Sequence, residues 1–240
     1  MSSGTDWAFS HAILLTVNNP LSRSIAMIFD LDGVLIHSMP MHVEAWKQYL
    51  DRLELRYEDI EARMHGKRNS ELVRDLIDSA LPDDVVFEHG AAKERLFREL
   101  LLARDLEQFR IRGLEAFLDR HPSVPKAVGT NAEPANLHFV LERFGLSRYF
   151  QATVNGSEVS RPKPFPDIYL KAAELLKTRP EDCIVFEDSP TGAAAGLAAG
   201  MRVVGIETTP TTFQGVSLQV PDFSDPRLEA WLQAVSSGAE

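Results

Sequence analysis

Cysteine is nearly absent from this chain of 240 residues, which contains Cys183 alone. A single cysteine excludes a disulfide within the chain, and no cluster of cysteine and histidine residues indicates a zinc site. Cys183 begins a short apolar run, where a small buried hydrophobic side chain is the ordinary interpretation. A hydrophobic content of 44% is sufficient for a buried core of useful size.

Basic residues are fewer than acidic ones: the chain has 25 Lys and Arg and 35 Asp and Glu, which gives a net charge of −10. Such a chain is a poor partner for nucleic acid or for an anionic membrane, and we expect it to bind neither. It also repels any ligand that carries phosphate. A phosphate site would therefore need local positive charge from a metal ion, a lysine or backbone N–H groups.

The amino-terminal region lacks a long apolar run. Residues 12–17 are apolar over only six positions, which is too short to cross a bilayer. Asp6 precedes this segment and no Lys or Arg does, which is the opposite of the charge pattern of a signal peptide. We therefore predict that residues 1–24 form an N-terminal extension and that the protein is cytoplasmic.

Four short apolar runs are present, and they predict buried strands at residues 25–29, 126–130, 183–186 and 202–206. The runs are nearly continuous rather than alternating, as is typical of a parallel sheet covered on both faces. Helical patterns follow three of them. This alternation predicts an α/β fold with a doubly wound, Rossmann-like parallel sheet.

Residues 40–111 differ, since they contain helical patterns and no convincing strand. Apolar side chains recur at helical spacing over residues 43–53 and 72–77, and residues 94–106 are rich in strong helix formers. We predict an all-helical cap inserted after the first strand.

The predicted α/β core then consists of residues 25–39 and 112–240, with the cap at 40–111 between them. Pro40 and the Arg112-Gly113 turn are the predicted hinges.

Two carboxylates, Asp30 and Asp32, directly follow the first predicted strand. The carboxyl ends of parallel strands are where such sheets bind ligands, and residues two apart in a strand face the same side. One carboxylate can act as a nucleophile while the other moves a proton. By itself, the pattern also fits a capped strand end or a calcium-binding turn.

Polar residues follow two other predicted strands, and a lysine lies in a proline-rich loop. Thr130 and Asn131 can hold phosphate oxygens or simply cap a helix. Lys163 lies among three prolines that stiffen its loop, so its positive charge can be held at a fixed position. The same pattern also fits an exposed lysine in a surface linker. Glu187 and Asp188 suit a hard cation such as Mg²⁺, or they complement a helix dipole.

Together these motifs resemble those of the haloacid dehalogenase superfamily, and within it the β-phosphoglucomutase-like branch. The resemblance covers the chain from about residue 25 to its end, including a helical cap at the matching place. The matching motifs are Asp30-Leu31-Asp32-Gly33-Val34, Gly129-Thr130-Asn131, Lys163 in Arg-Pro-Lys-Pro, and Phe186-Glu187-Asp188-Ser189.

The resemblance implies a role for each motif. Asp30 resembles the nucleophile that becomes an aspartyl-phosphate, and Asp32 resembles the general acid/base, whose backbone carbonyl binds Mg²⁺. Thr130 and Lys163 resemble the phosphate-binding pair, with Asn131 beside them. The implied Mg²⁺ ligands are Asp30, Asp32, Glu187 and Asp188.

The cap bears on the choice between hydrolysis and phosphate transfer within a sugar. His42 matches a histidine of β-phosphoglucomutase that helps to position the acid/base. The position of the mutase arginine for a second phosphate corresponds to Asn69, although Lys67 and Arg68 could serve in its place if they face the cleft rather than solvent.

We therefore predict an Mg²⁺-dependent phosphatase of a small phosphorylated metabolite, with sugar phosphates as the expected class, that acts as a monomer or weak dimer. A phosphosugar mutase is the alternative on the same scaffold. A catalytically idle binding protein is a third hypothesis, which the presence of every motif carboxylate and of Lys163 disfavours.

Overall fold

The structure is a computed structural model that describes residues 25–64 and 67–238. The extension predicted for residues 1–24 lies outside the described residues. Within them, the sheet has six strands in the order β3-β2-β1-β4-β5-β6, and every neighbouring pair is parallel. The strands are β1 (Ala26–Phe29), β2 (Lys126–Gly129), β3 (Ala152–Val154), β4 (Cys183–Glu187), β5 (Arg202–Ile206) and β6 (Leu218–Val220). The prediction of a doubly wound, Rossmann-like α/β fold is confirmed.

The four predicted strands are the interior ones, while the two edge strands were not predicted. β3 and β6 have three residues each, and two of the three are only partly buried in both strands. The interior strands β1, β2 and β4 are buried throughout, which accounts for their continuous apolar sequences. Short edge strands lack that signal because neighbouring structure covers them incompletely.

Nine α-helices accompany the sheet within the described residues. They are α1 (Met39–Arg52), α2 (Ile60–Met64), α3 (Asn69–Leu76), α4 (Asp83–Leu102), α5 (Leu114–Arg120), α6 (Pro134–Arg143), α7 (Asp167–Leu175), α8 (Pro190–Ala198) and α9 (Pro226–Ser237). In the described part of the chain, none of these helices combines the length and the apolar character that a membrane span requires.

Alternate side chains of β1 point to opposite faces of the sheet and so divide the core helices into two layers. Met27 and Phe29 belong to a hydrophobic cluster that includes residues of α5, α6 and α9. Ala26 and Ile28 belong to a second cluster with residues of α7 and α8. The sheet is thus covered on both sides, and only its strand ends remain available for a site.

Helices α1 to α4 lie between β1 and β2, where the all-helical cap is predicted. Its longest helix, α4, begins at Asp83 and ends at Leu102, so it starts before the stretch of strong helix formers at 94–106 and ends within it. The exposed Phe87 and the helix-weakening Gly90 interrupt the amphipathic pattern before Glu94. The longest helix of the cap therefore begins earlier in the chain than the sequence pattern indicates.

The chain enters and leaves the cap side by side. Ile36 forms an antiparallel bridge with Arg110, and the N–H of His37 donates to the carbonyl oxygen of Phe109 at 2.7 Å. Pro40 lies in the first turn of α1. The predicted cap boundaries and hinges stay predictions, but the two connecting segments are held next to each other at this point.

Candidate active site

The candidate site lies at the carboxyl ends of the three adjacent strands β2, β1 and β4. Asp30 follows β1, Thr130 follows β2, and Asp188 follows β4. All three line one cleft of about 380 Å³, whose opposite wall is formed by cap residues. The predicted convergence of the strand-end motifs in one pocket is therefore present in the structure.

Lys163 reaches into this pocket from the loop before α7. Its Nζ donates to Asp30 Oδ1 and to Glu187 Oε1, both at 2.7 Å, and only 4% of its side chain is exposed. The side chain of Asn131 holds the backbone of Lys163, since Asn131 Oδ1 accepts from the Lys163 N–H at 3.1 Å and Asn131 Nδ2 donates to the Lys163 carbonyl at 3.5 Å. In this structure Asn131 thus orients the lysine.

Glu187 is fully buried and its carboxylate receives four hydrogen bonds. Oε1 accepts from Lys163 and, at 2.7 Å, from the hydroxyl of Tyr169. Oε2 accepts from the backbone N–H and the hydroxyl of Ser189, at 3.1 and 3.0 Å. These bonds fix the carboxylate at the start of α8, from which it holds Lys163 against Asp30.

Gly192 makes room for this carboxylate, and Gly192→Ala is expected to displace it. A Cβ at position 192 would lie 1.6 Å from Glu187 Oε1, whereas a Cβ at the cap residue Gly90 would meet its nearest atom at 3.5 Å. We expect Gly192→Ala to destabilise the fold by about 1–3 kcal/mol. Gly90→Ala, the matched helical control, should instead stabilise it by up to ~1 kcal/mol. Urea denaturation measures both, and equal stability of the two variants would contradict the geometry.

Negative charge exceeds positive charge at the base of the pocket. Carboxylate oxygens of Asp30, Glu187 and Asp188 lie within 4.8 Å of one another. Burial raises the pKa of Asp30 to about 7 against the opposing effect of Lys163, and burial together with Glu187 and Asp30 raises the pKa of Asp188 well above its usual range. Three hard oxygen donors with too little positive charge suit a divalent cation such as Mg²⁺.

Asp32 is in a different environment from Asp30. Its Oδ1 accepts a hydrogen bond from the Ser38 hydroxyl at 2.6 Å and lies 3.3 Å from His42 Nε2. Burial alone would raise the pKa of Asp32, but His42 and Ser38 outweigh burial and lower it. The pKa values of the two motif carboxylates are thus shifted in opposite directions without a metal ion, and a cation bound in the acidic cluster would favour the ionised form of Asp30.

The tautomer of His42 follows from its neighbours. Lys93 Nζ lies 2.8 Å from His42 Nδ1, and a lysine ammonium can only donate, so Nδ1 must accept. His42 Nε2 then carries a proton, which points to Asp32. His42 also stacks on Phe97, with ring centroids 3.9 Å apart and planes within 2°. The cap therefore presents an oriented hydrogen-bond donor to the second carboxylate.

A buried acid completes this network across the junction of cap and core. Glu94 Oε1 accepts from Lys93 at 2.9 Å and from Asn69 at 2.5 Å. Glu94 Oε2 accepts from Asn136 of the core helix α6 at 2.6 Å, and Arg98 donates to the side-chain oxygen of Asn136. The cap is thus tied to the core through side chains that also hold His42.

A sequence model of the family described as haloacid dehalogenase-like hydrolases matches residues 26–200. The chain belongs to this family. It is therefore an enzyme of the hydrolase class. The match agrees with the resemblance that the four sequence motifs indicated.

Individual relatives include both phosphatases and mutases. Fructose-1-phosphate phosphatase YqaB of Escherichia coli is 32% identical over 188 residues, which cover 77% of this chain and 97% of the relative. A β-phosphoglucomutase of Mycobacterium bovis is 32% identical over 225 residues, covering 81% and 85% of the two chains. A solved hydrolase of family IA, variant 3, from Entamoeba histolytica has a TM-score of 0.79 and 25% identity, covering 88% of this chain and 99% of that structure.

The predicted basic pair of the cap lines the cleft of this hydrolase, but acidic neighbours already contact it. Lys67 Nζ lies 2.8 Å from Asp75, and Arg68 Nε lies 3.5 Å from Glu71. Both basic side chains are well exposed, at 39% and 48%. They are therefore on the rim of the cleft, and any anionic ligand would compete with these pairs.

Sequence reasoning missed Lys93 and Glu94 of the hydrolase, although a signal for the lysine exists. Lys93 follows Val86 by seven residues and precedes Phe97 by four, so it falls on the buried stripe of α4. A lysine in an apolar stripe needs a buried partner. Thr209, whose hydroxyl donates to Asp188 at 2.7 Å, was also missed, because it follows β5 after a turn without a recognisable motif.

Acid is expected to weaken the hydrolase through Glu94. Burial opposes its ionisation, but Lys93 and His42 lower its pKa from 4.5 to about 2. A lowered pKa in the folded state gives stability that is present above pH 4.5 and is lost as the pH falls towards 2. Glu94→Gln should therefore cost about 3 kcal/mol or more at pH 7 and reduce the further loss on acidification.

Denaturation in urea at pH 7, 4.5 and 3 tests this expectation. Glu99→Gln is the matched control, because Glu99 is an exposed residue of the same helix. If both variants had the same stability at pH 7, Glu94 would not be the buried acid that the network requires.

Proposed function

We propose that this hydrolase releases phosphate from a small phosphorylated metabolite, with sugar phosphates as the preferred class, through an aspartyl-phosphate on Asp30. The observation that carries the proposal is the contact of Lys163 with Asp30 inside a cluster of carboxylates at the strand ends. A cation-paired carboxylate at the base of a cleft of 380 Å³ is suited to attack a phosphate ester. The fructose-1-phosphate phosphatase of E. coli supports the same substrate class.

Mg²⁺ is part of the proposal because the acidic cluster fits it. Asp30 and Asp188 would hold the ion, with the backbone carbonyl of Asp32 and, within the same cluster, Glu187. When bound, the ion would supply positive charge against the transferring phosphoryl group. Because Glu187 already accepts four hydrogen bonds, its further role is to hold Lys163 in place.

The first step joins Asp30 to phosphorus and breaks the bond to the leaving oxygen. A carboxylate about 4 Å from a phosphate dianion meets a repulsion of roughly 8 kcal/mol at an effective dielectric of 20. Lys163 offsets part of this cost from its fixed position, and the Thr130 hydroxyl and neighbouring N–H groups can bind phosphate oxygens. Asp32, in its protonated form, gives its proton to the leaving alkoxide.

The second step hydrolyses the aspartyl-phosphate. Asp32, now a carboxylate, accepts a proton from water as that water attacks phosphorus, and the bond between Asp30 and phosphorus breaks. Inorganic phosphate leaves and Asp32 has regained its proton. His42 and Ser38 hold Asp32 by hydrogen bonds, so its carboxylate keeps one orientation through both steps.

The alternative is a phosphosugar mutase. It is favoured by the β-phosphoglucomutase of M. bovis and by the presence of Lys67 and Arg68 in the cleft wall. A mutase must hold a second phosphate, and the acidic partners of both residues compete with that group.

A substrate panel separates the two functions. The metal-stripped protein would be assayed on sugar monophosphates with and without added Mg²⁺, both for inorganic phosphate and for the isomeric sugar phosphate, with a sugar bisphosphate as primer. We expect phosphate release that depends on Mg²⁺. Undiminished release after chelation would overturn the mechanism, and isomer formation in excess of phosphate release would favour the mutase.

A further inference from the structure

The cleft is lined by a further carboxylate that does not belong to the acidic cluster at its base. Glu133 directly precedes α6 and lines the cleft. Its Oε1 lies 3.9 Å from where a Cβ on the cap residue Gly90 would be, so the carboxylate occupies the crevice between core and cap. Because Asp30 and Glu133 line the same cleft, the leaving part of a substrate whose phosphate contacts Asp30 shares that cleft with the Glu133 carboxylate.

The basic residues along this part of the cleft already have acidic partners. Lys93 contacts Glu94 at 2.9 Å, and the basic pair on the rim contacts Asp75 and Glu71. The side-chain carboxylate of Glu133, by contrast, has no hydrogen bond or ion pair to any residue that the structure describes, although the backbone carbonyl of Glu133 accepts from Asn136 and Leu137 in α6. Burial and the nearby Glu94 raise its pKa, against the weaker opposing effects of Arg98, Lys93 and Arg95. A second anionic group of a ligand would therefore meet uncompensated negative charge here.

A hydrogen-bond donor lines the same cleft. Trp46 is fully buried, and its Nε1–H has no acceptor among the described residues. Glu133 can only accept hydrogen bonds and Trp46 can only donate them. A hydroxyl group does both, whereas a phosphate dianion only accepts. A hydroxyl therefore suits both groups, whereas a phosphate dianion could accept from Trp46 but would be repelled by Glu133, to which it has no proton to donate.

We infer that Glu133 is a specificity residue, which binds hydroxyl groups of the leaving part of the substrate and rejects a second phosphate. The inference rests on the proposed phosphatase function and narrows its substrate class. The preferred substrate is a monophosphorylated polyol or sugar with free hydroxyls at the end remote from the phosphate. A partly buried carboxylate that hydrogen-bonds substrate hydroxyls discriminates between ligands, because an analogue that cannot bond to it leaves it unpaired.

Three probes test the inference on the full chain with Mg²⁺: fructose 1-phosphate, fructose 1,6-bisphosphate and p-nitrophenyl phosphate, which has no hydroxyls. In the wild type, we expect kcat/KM for the monophosphate to exceed that for the bisphosphate by at least about tenfold. Glu133→Gln should lower the preference for fructose 1-phosphate over p-nitrophenyl phosphate by about tenfold. Glu133→Lys should raise the ratio of bisphosphate to monophosphate by about a hundredfold.

Each ratio is taken within one variant, so a general loss of activity does not change it. Glu174→Lys, which makes the same charge change on an exposed residue of α7 outside the cleft, should leave both ratios unchanged. Glu133→Gln keeps the test valid if the lysine variant fails to fold. If both Glu133 variants kept the wild-type ratios, the inference about Glu133 would be wrong while the proposed function would stand. If the wild type released phosphate from none of the three probes, the proposed function would be wrong.

Discussion

Replacement of Asp30 by asparagine should abolish phosphate release, with a loss of at least about a thousandfold on every substrate. Asparagine keeps the shape of the side chain and an oxygen for Lys163, but its amide is not a nucleophile. The loss can be measured as inorganic phosphate released from a sugar monophosphate with saturating Mg²⁺. Asp51→Asn, at an exposed residue of α1, is the matched control and should retain wild-type activity.

Asp30→Asn should leave the protein folded and at least as stable as the wild type. A loss of activity can then be assigned to the chemistry of Asp30 and not to unfolding. Because the pKa of Asp30 is raised from 3.8 to about 7, metal-free stability contributed by this group falls as the pH rises between these values. Asp30→Asn removes that fall, so urea denaturation at pH 8 without metal should give a stability no lower than that of the wild type. An inactive variant that is also unfolded would leave Asp30 a structural residue, and an active, folded one would exclude it as the nucleophile.

Lys163→Met should have the second largest effect, and it should affect stability as well as activity. The substitution leaves Asp30 and Glu187 buried without their shared ammonium, which is expected to cost about 3–5 kcal/mol without metal. Phosphate release should fall by about a hundredfold or more, since a fixed positive charge near the transferring group is lost. Saturating Mg²⁺ should restore part of the stability, because it replaces positive charge in the same cluster.

The control for this prediction is Lys171→Met, on the surface of α7. Lys171 Nζ lies 3.8 Å from Glu158, and both side chains are more than a third exposed. Loss of such a pair should change stability by less than about 1 kcal/mol. Denaturation with and without Mg²⁺ measures both variants. Equal stabilities would mean that Lys163 does not neutralise the buried acids.

The base of the site was predictable because its residues depend on local rules. Asp30, Thr130 and Asp188 each directly follow an apolar strand, and adjacent parallel strands bring their carboxyl ends together. Lys163 was predictable as a rigidly held charge from the prolines around it. The roles of these residues in catalysis stay predictions, while their convergence is visible in the structure.

The cap side of the site was less predictable, because it depends on how helices pack. Lys67 lies in the loop before α3 and contacts Asp75 of that helix, and the sequence contains no marker of this contact. The contact of His42 with Lys93 joins residues 51 positions apart on two different helices. The side chain of Asn131 holds the loop of Lys163, a contact that its place after a strand does not indicate, and its predicted phosphate binding stays a prediction.

The adjacent entry and exit segments at Ile36 and Arg110 have a consequence for how this enzyme can be altered. A lobe whose two attachment points touch is topologically a large loop, since removing or exchanging it leaves the rest of the chain nearly continuous. The cap side of the cleft is thus encoded in one uninterrupted stretch. Grafting a foreign lobe at these two residues is therefore a route to new selectivity that leaves the sheet and the carboxylates at its strand ends untouched.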